Sequence, residues 1–277
     1  MLKYLRYIKN RFKNTLLTLR GERNKVELFY WNTDYDNKDN FGDVLSKIIV
    51  RKVAEKFNIT NFNDKFNKLE FFADSKQLLP IGSILHAAKE NAIVWGSGIN
   101  GKVRKTIRVK NLDVRMVRGP LTRMVLLENG INCPSIYGDP ALLVSDFFNY
   151  KLTGKKNEYI IIPNLNDLIF YKGIDNVISP LDDWDIIIQE IAQSKLVVSS
   201  SLHGIIVAES FGVPARHVLS YFEPVFKYID YYRGTGRKKY KFAQSIDDAL
   251  RMGGEILPDV EELKKNMYDT FPIDIWM

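Results

Sequence analysis

The run Lys195 to Ala215, KLVVSSSLHGIIVAESFGVPA, restricts the fold more than any other stretch of this chain. Leu196, Val197 and Val198 form a short unbroken apolar run, the kind that a parallel sheet buries on both faces. Ser199, Ser200 and Ser201 end that run, and Gly204 begins apolar residues at helical spacing. Strand, polar turn and helix are half of a parallel α/β unit, and in open α/β sheets ligands collect at the carboxyl ends of strands. His203 is therefore expected to face a cleft, beside serine hydroxyls and the free amides of a helix's first turn. Such a place suits an anion and a proton transfer. A partly buried histidine bonded to its neighbours would leave the same pattern.

The same alternation runs along the chain. Strands are expected at 26–31, 78–85, 92–98, 113–120, 135–144, 159–163, 176–180, 196–200 and 216–220. Helices are expected at 43–57, from Pro120 to about residue 129, at 184–192, after Gly204, and near 246–252 and 260–268, one of the last two crossing back onto the first half. The polar stretch 149–158 interrupts the apolar pattern and marks the best boundary. At 277 residues the chain has room for two cores. The reading is an α/β protein of two Rossmann-like domains, residues 21–150 and 151–277, with parallel sheets on a central cleft.

The net charge of +7 suggests nucleic acid only until it is located. Lys3, Arg6, Lys9, Arg11, Lys13 and Arg20 stand in a segment without Asp or Glu and leave the remainder near +1. No nucleic-acid motif accompanies them, so no nucleic-acid partner is expected. Leu2, Leu5, Ile8, Phe12, Leu16 and Leu19 recur at helical spacing through residues 1–20, giving a basic amphipathic helix. It would lie on an anionic membrane surface or pack on the body with its basic face in water. The single Cys133 and the lack of a signal-peptide pattern favour the cytoplasm, with peripheral attachment to the membrane's inner face through that helix.

Several motifs could carry chemistry. Gly96, Ser97 and Gly98 follow an apolar strand, where they make either a tight turn or a backbone cradle for an anion. Arg118 lies between a strand and a helix opened by Pro120, placed to grip a carboxylate or phosphate two-pronged. Arg123 reads as a solvated helix residue. Asn40 and Asp43 flank a helix start, with Asp43 either its N-cap or an acceptor-site residue. Asp139 in Gly138-Asp139-Pro140 looks first like a turn that opens a helix. His86, His203 and His217 have no metal-ligand spacing, and no metal or resident cofactor is expected.

Taken together, Tyr30-Trp31, Asn40 to Asp43, Gly96 to Gly98, Val117 to Arg123, Gly138 to Leu143 and Ser199 to Pro214 resemble the polysaccharide pyruvyl transferase family. The resemblance implies a GT-B-like pair of Rossmann-type domains. It also implies transfer of a pyruvyl group from phosphoenolpyruvate, a co-substrate, to two hydroxyls of a glycan acceptor; a lipid-linked acceptor would suit the basic N-terminal helix. By position, His203 and Arg118 correspond to the family's donor-site histidine and arginine. His203 would be the acid, and Ser200, Ser201, Leu202 and Gly204, with Gly96, Ser97 and Gly98, would line the donor. The chain departs from the family at Ser201, where characterised branches carry arginine; Lys102, Arg104 or Arg233 would have to supply that charge. Two other readings share these residues. One is a nucleotide-sugar glycosyltransferase of GT-B type with Glu209 on the ribose, and the other a non-catalytic glycan-binding relative.

Overall fold

A computed structural model describes residues 26–31, 38–59, 76–102, 107–150 and 157–276. Residues 1–20 and Arg104, which the sequence singled out, lie outside the described residues. The elements are β1 (Val26–Leu28), α1 (Phe41–Lys56), β2 (Lys76–Leu79), β3 (Ala92–Trp95), β4 (Leu112–Met116), α2 (Pro120–Glu128) and α3 (Val144–Phe147). They continue with β5 (Ile160–Ile162), α4 (Trp184–Ala192), β6 (Val197–Ser199), α5 (Leu202–Ser210), β7 (Ala215–His217), α6 (Phe226–Gly234), α7 (Ile246–Met252) and α8 (Glu261–Asp269).

Strands β1 to β4 form one parallel sheet in chain order, and β5 to β7 form a second. Both are expected of buried apolar strands joined by crossovers. The register of β3 on β4 shifts at Val94 and Trp95, just before Gly96 takes φ of 100°.

One continuous core joins the two sheets. Leu45 and Ile49 of α1, Ile188 of α4 and Ile205 and Ile206 of α5 pack in it with Trp95, Leu142 and Leu143. Helix α5 is buried almost all round, which fits its lack of a polar face. The expected return of a C-terminal helix onto the first half is present. The indole of Trp95 donates to the Met267 carbonyl of α8 at 3.0 Å, and Phe271 meets Trp95 edge-on at 5.0 Å.

Two expected strands differ. Residues 135–144 hold a single bridge at Tyr137, then a 3-10 helix at Pro140–Leu143 that runs into α3. Pro140 cannot donate to a ladder, and Asp139 accepts from the Ala141 amide at 3.1 Å, so the segment turns helical. Residues 176–180 reduce to one bridge between Ile161 and Val177.

Candidate functional site

The carboxyl ends of both sheets meet at a cleft of about 380 Å³. Trp31 follows β1, and Ser83 and His86 follow β2. Asn100 and Lys102 follow β3, and Arg118 follows β4. From the second sheet come Asn164 and Asn166 after β5, Ser201, Leu202 and His203 after β6, and Glu223 and Lys227 after β7. Asn40 and Asp43 enter from the start of α1.

His203 occupies the first turn of α5, and its imidazole lies against Gly42 so closely that a Cβ there would collide with it. The glycine thus lets α1 approach α5, and Asp43, the next residue, lines the same cleft as the histidine. Nε2 of His203 is enclosed and has no hydrogen-bond partner among the described residues. Burial, followed by the charges of Lys227 and Arg118, lowers its pKa to about 3. The imidazole is therefore neutral at neutral pH. A bound trianion would offset both cations and raise its basicity.

The serine turn is mostly structural. Ser199 Oγ donates to the Ile162 carbonyl at 2.6 Å and accepts from the Ser201 amide at 3.0 Å. Ser200 Oγ accepts from the Asn164 amide at 2.9 Å, and its carbonyl accepts from Tyr228 at 2.6 Å. Gly204 lies close against Ser199 and Ile162, where a side chain would clash. Of the expected donor residues in this turn, Ser201 and Leu202 line the cleft, whereas Ser200 and Gly204 serve the fold.

Arg118 is completely buried along its side chain, yet part of it borders the cleft. Its Nε donates to Asp230 at 3.2 Å, Nη1 to Ser83 at 2.9 Å and Nη2 to the Ile99 carbonyl at 2.6 Å. These bonds use three of the guanidinium's five N–H groups, so Arg118 is already partly committed to Asp230, Ser83 and Ile99. Asp230 also accepts from the amides of Leu121 and Thr122, at 2.9 and 3.0 Å, and so caps α2 from α6. Gly119 and Gly234 let the two segments touch backbone to backbone.

The glycine triplet has a different use from the anion cradle that was one of its readings. The Gly96 amide donates to the Met116 carbonyl at 2.8 Å and the Gly98 amide to Gly82 at 2.9 Å. Gly96 makes room for Pro140 and Gly98 for the Arg118 guanidinium, while Ser97 is buried with no partner for its hydroxyl among the described residues. Asp139 is buried at the 3-10 start, and burial raises its pKa to about 6 against the pull of the Ala141 amide and Arg118. Glu209 faces away from the cleft, in the grip of Arg237 and Tyr231. Asp43 is not the N-cap of α1; Asn40 is, and its amide donates to Asp43 at 2.8 Å. Arg123 donates to the Cys133 carbonyl at 3.0 Å rather than standing in water.

Two charged residues that no motif announced complete the cleft. Lys227 is buried and donates to Glu223 at 2.9 Å, and Lys102 pairs with the other oxygen of the same carboxylate. Burial lowers the Lys227 pKa, with Glu223 opposing. Of the residues expected to stand in for an arginine at position 201, Lys102 is at the cleft, while Arg233 is exposed and not among its lining. The sequence signal for Lys227 and Asp230 was a pair of opposite charges three apart among the tyrosines of α6.

Among the described residues no helix is long and apolar enough to cross a membrane, and no cluster of His, Cys, Asp and Glu could hold a metal ion.

The succinoglycan biosynthesis protein ExoV of Rhizobium meliloti (strain 1021) is 28% identical over 201 residues, 67% of this chain and 57% of its own length. The chain therefore matches little more than half of that relative. The uncharacterized protein L143 of Acanthamoeba polyphaga mimivirus is 27% identical over 220 residues, 73% of this chain and 70% of its own. A functionally uncharacterised protein of Klebsiella pneumoniae has a solved structure that superposes with a TM-score of 0.48 at 13% identity, covering 83% of this chain and 96% of that one. The family model for polysaccharide pyruvyl transferase matches residues 1–221, most of the chain, and the chain belongs to that family.

Proposed function

We propose that this chain transfers the pyruvyl group of phosphoenolpyruvate to two hydroxyls of one sugar in a surface or exopolysaccharide precursor. The observation that carries the reading is the unpartnered Nε2 of His203, enclosed in a cleft with Arg118, Lys227 and Lys102. Phosphoenolpyruvate brings a carboxylate and a phosphate, and such cations in a low-dielectric cleft stabilise both charges. His203, protonated once the donor's charge is present, delivers its proton to the methylene carbon. One sugar hydroxyl adds to the carbon that bears the phosphate, the C–O bond to phosphate breaks, and the second hydroxyl closes the ketal. One hydroxyl proton ends on the new methyl group by way of the histidine, the other on the departing phosphate.

Lys227 and Lys102 supply positive charge where Ser201 replaces the arginine of other branches. The two parallel sheets are taken as the Rossmann-type domains 21–150 and 151–277 of a GT-B-like arrangement. Residues 1–20 would hold the enzyme on the inner face of the cytoplasmic membrane, near a lipid-linked acceptor.

The test is phosphate release from phosphoenolpyruvate with a panel of synthetic and lipid-linked glycosides, read with the acceptor's mass. His203→Gln is expected to keep donor binding, seen as a thermal shift, while kcat falls about 10²- to 10⁴-fold. An unimpaired variant removes the acid from the mechanism. A shift with a nucleotide diphosphate and none with phosphoenolpyruvate would replace the reading with sugar-nucleotide glycosyl transfer.

A further inference from the structure

The cleft is chemically divided. Its cations come from the β3, β4 and β7 ends, whereas the β1 and β2 ends bring Trp31 and His86, with Asn40 and Asp43 beside them at the start of α1. His203 lies between the two groups, touching Gly42 of α1 and feeling the charges of Lys227 and Arg118.

Trp31 is 49% exposed and tilts against His86 with ring centres 5.7 Å apart. An indole half in water at the lining of a cleft presents a ring face to whatever binds there. The same cleft is lined by amides with one half in use and one half open among the described residues. Asn40 donates its NH2 to Asp43, which leaves its oxygen. Asn100 and Asn164 each accept a backbone amide on the oxygen, at 2.8 and 3.0 Å, which leaves their NH2 groups. Neutral donors and acceptors beside an aromatic face match a polyol whose hydroxyls both give and take hydrogen bonds. The apolar C–H face of a pyranose carries partial positive charge and meets the negative face of an aromatic ring.

We infer that Trp31 and His86 form the platform on which the acceptor pyranose stacks, with Asn40, Asn100 and Asn164 selecting its hydroxyls. The subsite rests on the transferase reading for its role, but its sugar-binding chemistry stands apart from it. The stacked ring presents two neighbouring hydroxyls toward His203 and the donor. Asp43, next to Gly42, accepts one of them.

The experiment uses the full chain, fluorescently labelled, on an immobilised glycan array, with Trp31→Ala and Trp31→Phe beside the native protein. Phosphoenolpyruvate protection against heat is recorded for all three. The native protein is expected to bind a subset of glycans, Trp31→Ala to lose about three- to tenfold in affinity for the same subset, and Trp31→Phe to recover part. Heat protection by the donor should be equal in all three. With a turned-over glycan in hand, Trp31→Ala should raise the acceptor KM by the same factor and leave the donor KM within twofold. Equal array binding by the native protein and Trp31→Ala overturns the subsite, as does an array on which the native protein binds nothing. Donor protection with Trp31-independent glycan binding would end the subsite and keep the transferase. Trp31-dependent glycan binding without donor protection would do the reverse.

Discussion

The two ends of α5 handle buried polar groups in opposite ways. At its carboxyl end Glu209 accepts from Nη1 and Nη2 of Arg237 at 2.6 and 2.8 Å and from Tyr231 at 2.6 Å. Both carboxylate oxygens are occupied, although burial still raises the Glu209 pKa against that pairing. At its amino end His203 keeps an enclosed nitrogen with no partner among the described residues, and cations gather around it. One helix therefore anchors the fold with a closed network and presents an open one to a ligand. The lesson is that a charged residue in a motif is sorted by what already holds it, and Glu209 is held too fully to touch a ribose.

The largest effect that would break this contrast is at the closed end. Glu209→Ala leaves Arg237 buried without its carboxylate, and about 3–5 kcal/mol of stability should be lost in urea titration. The turnover of the folded fraction should not change, in contrast to His203→Gln, where turnover goes and stability stays. A loss under about 1 kcal/mol would mean that the pair is no anchor.

His217 sharpens the contrast, because it is open without being at the cleft. Both of its nitrogens lack partners among the described residues, and its ring stacks on Tyr228 at 3.7 Å. Burial, then Lys227, lowers its pKa to about 3. A histidine depressed in the folded state contributes stability that is complete above the unfolded value of about 6.5 and drains away as pH falls toward 3. His217→Phe should therefore gain on the native protein by about 1.4 kcal/mol for each pH unit below 6.5, with kcat untouched. A stability difference independent of pH would show that this histidine is paired after all.

The smallest effect belongs to the open end. If donor charge re-protonates His203, binding of phosphoenolpyruvate at neutral pH should take up about one proton. Calorimetry in two buffers of different ionisation enthalpy reads this number directly. No uptake, or uptake retained in His203→Gln, would place the proton elsewhere.

Much of the fold could be read from apolar periodicity. The run through β6 into α5 and the Pro120 start of α2 follow from local pattern. Residues 135–144 could not, because their apolar content resembles a strand while Asp139 and Pro140 dictate a helical start. Of the two readings of Asp43 the cap is the one that fails, because Asn40, three residues earlier, satisfies the same pattern. Within the site, His203, Arg118, Ser201, Leu202, Asn40 and Asp43 were placed at the cleft by sequence and are brought there by the fold. Lys227, Glu223 and Asp230 were not found. They lie on and before α6, after the last motif, and only tertiary contact shows that Asp230 reaches back 112 residues to Arg118. The glycines misled for the same reason: what Gly96 and Gly98 accommodate is Pro140 and Arg118, neighbours that no local window contains.

The bond from Trp95 to the Met267 carbonyl spans 172 positions of sequence. During synthesis the first sheet emerges early, yet the helix that covers Trp95 and Phe57 is made among the last segments described. Until then an apolar face of the nascent chain waits uncovered, a contact of high order that slows folding and invites chaperones. The return of α8 thus sets a clock on biogenesis: the first sheet can be assembled early but finished only late.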